Sequence, residues 1–176
     1  MQVPGPLKTV EVVLPLVRTE QYFEVKRGRP EVPKILLVDD DETIRDTLYE
    51  LLSQDYFCQT AETAEKAFAR LDADEYDVVL TDISMPGLSG LELLGHVRQK
   101  FPDTPVIIVS GIGDQEHAQG LIRLGAFDFL LKPFSLEVVE KSVRRALDYR
   151  KRLMEAGDAG EDENPAHAAD WKIVKS

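Results

Sequence analysis

A chain of 176 residues, 43% of them hydrophobic and 30% charged, has the composition of an ordinary globular protein and is short for two full-sized domains. Its formal charge of −11 excludes sequence-independent nucleic-acid binding, which needs a basic footprint; residues 34–150 alone carry 12 basic and 22 acidic side chains. The single cysteine, Cys58, excludes an internal disulfide framework and a cysteine-based zinc site, and no apolar run reaches the roughly 20 residues of a membrane-spanning helix.

Residues 1–33 hold Pro4, Pro6, Pro15, Pro30 and Pro33, with strand-like pieces at Thr9–Leu14 and Tyr22–Lys26. They read as an N-terminal extension. Val10–Val17 is apolar, but Glu11 and Pro15 interrupt it and no basic stretch of the secretory kind precedes it, so a cytoplasmic location is expected.

From Lys34 the period of the apolar residues switches back and forth. Continuous apolar runs predict strands at Ile35–Val38, Val78–Leu80, Val106–Val109 and Phe127–Leu131, with a weaker one near Phe57–Thr60; unbroken runs of this kind suit strands covered on both faces. Helical stripes lie between them: Ile44, Leu48, Leu51 and Leu52, then Ala64, Ala67, Phe68 and Leu71, then Leu93, Leu94, Val97 and Phe101. Ser89 and Glu92 form a capping-box signature ahead of the third stripe. A fourth, Ala118, Leu121 and Ile122, ends near Gly125, and a fifth runs from Ser135 as N-cap through Val139, Val143 and Leu147. Strand–helix alternation repeated five times predicts an α/β domain over residues 34–150, with a parallel sheet and helices on both faces. The last helical pattern continues to about Met154, and residues 151–176 otherwise read as an acidic, disordered tail.

Chemistry collects where the strands end. Asp39 and Asp40 follow the first strand, Asp82 the third, Ser110 the fourth and Lys132 the fifth. In an open parallel sheet the ligand site lies outside the carboxyl ends of the strands. Three carboxylates in one small pocket repel one another unless a cation joins them, and hard oxygen ligands favour Mg2+. Lys132 adds a mobile positive charge, and Ser110 a hydroxyl able to donate to a phosphoryl oxygen. A carboxylate nucleophile, a cation clamp, a lysine and a hydroxyl make a site for in-line phosphoryl transfer. Singly, each element has a plainer reading. Asp39-Asp40-Asp41 would serve equally as the cap of the next helix, Asp82 before Met-Pro-Gly as a turn former, Ser110 as a loop residue and Phe129 as core.

The segments Lys34–Glu42, Leu80–Gly87 with Gly90, Val106–Gly111 and Gly125–Phe134 resemble, in order and spacing, the motifs of bacterial response-regulator receiver domains. The wording around the fourth and fifth strands is most similar to receivers of the nitrogen-regulation type, which precede an ATPase and a DNA-binding domain; neither follows in these 176 residues. The resemblance implies a flavodoxin-like sheet of order 2-1-3-4-5. It makes Asp82 the phosphoacceptor and Asp39, Asp40, Asp82 and the backbone carbonyl of Ser84 the Mg2+ ligands. Ser110 becomes the switch hydroxyl, Lys132 the phosphate-contacting lysine before a cis Pro133, and Phe129 the switch aromatic. Ser84 and Ile112 fall at two variable positions that tune acyl-phosphate lifetime.

A sensor histidine kinase or phosphotransfer protein is then the donor. The face of helix 4, strand 5 and helix 5 signals to a downstream protein rather than to DNA or a membrane, and a homodimer through the last helix fits its apolar stripe. Two rivals remain. Asp39-Asp40-Asp41-Glu42-Thr43 fits the Asp-x-Asp-x-Thr opening of haloacid-dehalogenase-type phosphatases, with no acidic pair to serve as the fourth motif and no role for Asp82. A binding module that keeps the fold without using phosphorylation is the other.

Overall fold

Strands and helices alternate along the chain in a computed structural model that describes residues 32–157, apart from Ile112 and Asp114. The order is β1 (Lys34–Val38), α1 (Glu42–Leu52), β2 (Phe57–Ala61), α2 (Ala64–Ala73), β3 (Val78–Asp82), α3 (Gly90–Lys100), β4 (Val106–Ser110), α4 (Gln115–Arg123), β5 (Asp128–Leu131) and α5 (Leu136–Gly157). The readings of residues 1–31, of the acidic tail from residue 158 and of Ile112 lie outside the described residues.

The five strands form one parallel sheet in the order β2-β1-β3-β4-β5. Side chains alternate across a strand, so each strand feeds two cores. Leu36, Val38, Val79, Val106 and Ile108 point to the face covered by α2, α3 and α4. Ile35, Leu37, Val78, Leu80, Ile107, Val109 and Leu130 point to the face covered by α1 and α5. Every residue of β3 and β4 is buried, as the unbroken apolar runs require. β2 lies at an edge and exposes Phe57, which explains its weaker signal.

Local chemistry sets the helix starts. Asp41 caps α1, its carboxylate accepting from the N–H groups of Thr43 and Ile44 at 2.8 and 3.2 Å. Thr63 caps α2, and the box expected at Ser89 and Glu92 opens α3 with both reciprocal bonds in place. Ser135 accepts from Val138 N–H at the start of α5. That helix continues to Gly157, past the end expected near Met154.

At the amino end of the sheet one buried guanidinium ties three elements together. Arg150 of α5 bonds Asp77 Oδ1 at 3.0 Å, Thr104 Oγ1 at 2.8 Å and the Asp103 carbonyl at 3.2 Å, while Asp77 Oδ2 accepts the backbone N–H of Lys34 at 2.7 Å. Removing the cation strands a carboxylate oxygen of Asp77, while the Thr104 hydroxyl keeps its bond to the Tyr76 carbonyl at 3.0 Å. Because Asp77 is partly exposed, the cost falls below that of a fully buried pair. Arg150→Met is expected to lower stability by about 2 kcal/mol, measured by urea denaturation. An unchanged denaturation midpoint would refute the pin.

Candidate functional site

The carboxyl ends of β1, β3 and β5 converge on one atom. Asp82 is the last residue of β3, still paired with Val109 of β4, and is 5% exposed. Its Oδ2 accepts the N–H of Ser84 at 2.6 Å, which fixes the carboxylate against its own loop. Its Oδ1 accepts from Lys132 Nζ at 2.7 Å, and the same ammonium donates to Asp39 Oδ2 at 2.8 Å. Lys132 is aimed there by its backbone. Its N–H continues the sheet to the carbonyl of Ser110 at 2.7 Å, and the peptide to Pro133 is cis, as the resemblance implied.

The three consecutive aspartates divide their roles. Asp39 continues β1 by one bond, its N–H to the carbonyl of Ala61, and is buried; its Oδ1 accepts the N–H of Asp41 at 2.9 Å. Asp40 is exposed, and Asp41 is the α1 cap. The capping reading therefore holds for Asp41 alone. The Asp-x-Asp phosphatase pattern needs that second aspartate at the site, where the fold spends it on a helix end. Of the three carboxylates expected at this edge, Asp39 and Asp82 meet at the Lys132 ammonium, and Asp40, next to Asp39 in the chain, is exposed.

The electrostatics follow from sharing one cation between two acids. Burial pushes the Asp39 carboxyl above its ordinary value, and the Lys132 ammonium offsets this only in part. For Lys132, burial pulls downward but the two carboxylates outweigh it, so its pKa is raised. The lysine stays charged at neutral pH. All the donors here are hard oxygens, the set that suits Mg2+, which keeps several waters and uses only one or two protein carboxylates. Among the described residues no three acidic, histidine or cysteine side chains converge into a ready-made cage. The hard oxygens of Asp39, Asp40 and Asp82 and the Ser84 carbonyl, all at or next to this edge, fit such a cation.

Ser110 closes β4, paired with Leu131 and 1% exposed. Phe129 is half-buried in β5 and packs on the α2–α4 side. Its ring lies edge-on to His117 at 6.2 Å, and a Cβ added to Gly113 would lie 2.8 Å from its Cζ. The aromatic thus faces the loop leaving β4, and without a phenolic hydroxyl it offers packing alone. Ser110 thus lies at the carboxyl end of β4, and Phe129 lies two residues short of the end of β5.

Three supporting residues escaped the sequence reading. Gly90 opens α3 so close beneath the site that a Cβ would lie 2.1 Å from the carbonyl oxygen of Asp82. Glu65 of α2 accepts the N–H of Leu88 at 3.4 Å and braces the β3–α3 loop. Arg45 of α1 donates to the backbone carbonyl of Asp39 at 2.8 Å. Gly90 stood within the quoted motif without a role; the other two carry no local signal, because their partners are remote in sequence or belong to the backbone.

A doubly wound parallel sheet with two acids and a lysine at its carboxyl edge defines a receiver-type signalling domain. The chain belongs to the response regulator receiver domain family, whose model matches residues 35–144. It is 38% identical over 124 residues to the C4-dicarboxylate transport transcriptional regulatory protein DctD of Rhizobium meliloti, covering 70% of this chain and 27% of that protein. It is also 38% identical over 116 residues to the DNA-binding transcriptional regulator NtrC of Salmonella typhimurium, covering 65% of this chain and 25% of that one. The likeness to the nitrogen-regulation type is therefore real. The chain spans about a quarter of the length of these curated relatives. Among solved structures it resembles response regulator protein TrrA of Thermotoga maritima, determined in complex with Mg2+-BeF, with a TM-score of 0.59, 34% identity, and coverage of 65% of this chain and 99% of that one. No helix among the described residues is long and apolar enough to cross a membrane.

Proposed function

We propose that this chain accepts a phosphoryl group on Asp82 from a sensor histidine kinase or a phosphotransfer protein, and signals through its α4–β5–α5 face to a partner protein. The observation that carries the reading is the meeting of Asp39, Asp82 and Lys132 at one ammonium nitrogen, 2.8 and 2.7 Å from the two carboxylates. Mg2+ would be held by Asp39, Asp40, Asp82 and the carbonyl of Ser84; when bound it supplies charge neutralisation at the transferring phosphoryl group.

Asp82 already presents one oxygen, Oδ2, fixed by Ser84 N–H, and another, Oδ1, held by Lys132. A carboxylate oxygen of Asp82 attacks phosphorus, and the bond from phosphorus to the donor imidazole nitrogen breaks, the electron pair leaving with the imidazole. Lys132 neutralises charge on the phosphoryl oxygens as a point charge. Ser110 donates its hydroxyl to one of those oxygens, and Phe129 moves into the space the serine leaves. The rearrangement biases a two-state equilibrium of the α4–β5–α5 face. Water later cleaves the acyl phosphate, so the domain catalyses only its own phosphorylation and dephosphorylation. The net acidic composition of residues 34–150 favours a protein over DNA as target, and a homodimer through α5 fits the same face. Such a role places the chain in the cytoplasm.

The test is intact mass after incubation with acetyl phosphate, with and without Mg2+, for the wild type and Asp82→Ala. A single Mg2+-dependent phosphoryl adduct is expected in the wild type and none in the variant. An adduct that persists in Asp82→Ala, or no adduct together with no beryllofluoride binding, would overturn the assignment.

A further inference from the structure

We infer that Arg45 is a positioning residue for the cation site, acting through the backbone of Asp39; the inference rests on the reading that Asp39 and Asp82 receive Mg2+. Asp39 lies one residue beyond β1, where the pairing with β3 has ended at Val38 and Thr81. Its carbonyl has left the sheet ladder and needs a donor. Nη1 of Arg45 supplies it at 2.8 Å from the first turn of α1. With that bond every polar group of Asp39 is engaged. Its N–H goes to Ala61, its carbonyl to Arg45, its Oδ1 to the Asp41 N–H and its Oδ2 to Lys132.

The placement of Arg45 is unfavourable by local rules. A cation in the first turn of a helix opposes the helix dipole, and it is half-buried there. It lies amid Asp39, Asp40, Asp41 and Glu42, yet makes no ion pair within 4.0 Å among the described residues. Its hydrogen bond goes to a carbonyl instead of a carboxylate. A residue retained merely to balance charge would pair with one of these acids. Arg45 fixes the strand exit, and with it the direction in which the Asp39 carboxylate meets a cation.

This account and a simple charge account predict opposite signs. Removing a positive charge from an acidic site strengthens cation binding by Coulomb attraction alone. Removing an outer hydrogen bond that orients a ligand weakens it, typically by about tenfold or more. Mg2+ affinity of the full, unphosphorylated chain is therefore measured by titration calorimetry for the wild type, Arg45→Met and Arg45→Lys, with thermal midpoints in the absence of Mg2+ as a fold control. Arg45→Met is expected to bind Mg2+ about tenfold more weakly, while its phosphorylation rate at saturating Mg2+ stays near that of the wild type. Arg45→Lys, which keeps one donor, is expected to recover most of the affinity. Equal or tighter binding by Arg45→Met overturns the inference. If that variant does not fold, an Arg45→Lys variant that folds but binds Mg2+ tenfold more weakly does so as well. A wild type that binds no Mg2+ sinks the underlying functional reading instead.

Discussion

Lys132→Ala is expected to slow phosphorylation by acetyl phosphate by ~10²-fold or more, the usual consequence of deleting a preorganised charge aimed at the reacting oxygens. A pH-dependent loss of stability should accompany it. In the wild type the ammonium bonds two buried acids at 2.7 and 2.8 Å. Without it Asp39, already raised by burial, loses the neighbour that holds its pKa down and gains nothing in return. A carboxyl raised on folding contributes stability that is fully present below its ordinary value of 3.8 and is lost as pH rises through the folded value. Lys132 has the complementary behaviour: its contribution is present below 10.5 and disappears only as pH rises through its higher folded value. The variant should therefore lose more stability relative to the wild type at about pH 7 than at about pH 4. Urea denaturation across that range, without added metal, is the measurement. A deficit independent of pH would mean that Lys132 contributes through packing of its stem.

The second large effect belongs to Gly90. Its N–H donates to the carbonyl of Ile83 at 3.1 Å, and its Cα lies against the segment that carries Asp82, the proposed phosphoacceptor. An added methyl would meet the Asp82 carbonyl oxygen at 2.1 Å and the Cα of Ile83 at 3.0 Å, both backbone atoms that cannot rotate aside. Gly90→Ala must displace either α3 or the end of β3. Overpacking of this kind costs about 3 kcal/mol. Because the strain falls on Asp82 itself, a shift of ~1 Å in the nucleophile would slow the reaction by ~10²-fold. Denaturation midpoints and initial phosphorylation rates, measured together, test both consequences. A variant that loses stability but reacts normally would show that α3 gives way and the strand does not.

What the sequence revealed and what it hid divide along physical lines. β3 and β4 were legible because burial on both faces demands apolar residues at every position, and Val78–Leu80 and Val106–Val109 supply them. Their ends were placed early. Asp82 and Ser110 are polar, yet each still pairs with the neighbouring strand, so polarity marked the edge of the core and not the end of the backbone bonding. The faint signal of β2 reflects partners invisible in sequence: Gln59 accepts from Tyr76 at 2.5 Å and from Arg70 at 3.1 Å, which lets a polar residue sit in a strand. Asp39, Asp82 and Lys132 were legible as a set because each follows an apolar run. Which of three adjacent aspartates enters the site was not, since that depends on where α1 begins. Phe129 could be singled out only by resemblance, and Arg45 acts on a carbonyl, for which no residue type leaves a trace.

The position of Arg150 gives α5 the mechanics of a lever. The helix starts near the carboxyl edge of the sheet and is riveted at the opposite edge, ~21 Å along its axis at 1.5 Å per residue. A tilt of ~5° about that rivet moves the first turn by ~2 Å, and it moves the stretch from Lys151 to Gly157, ~10 Å beyond the pivot, by about half as much in the opposite direction.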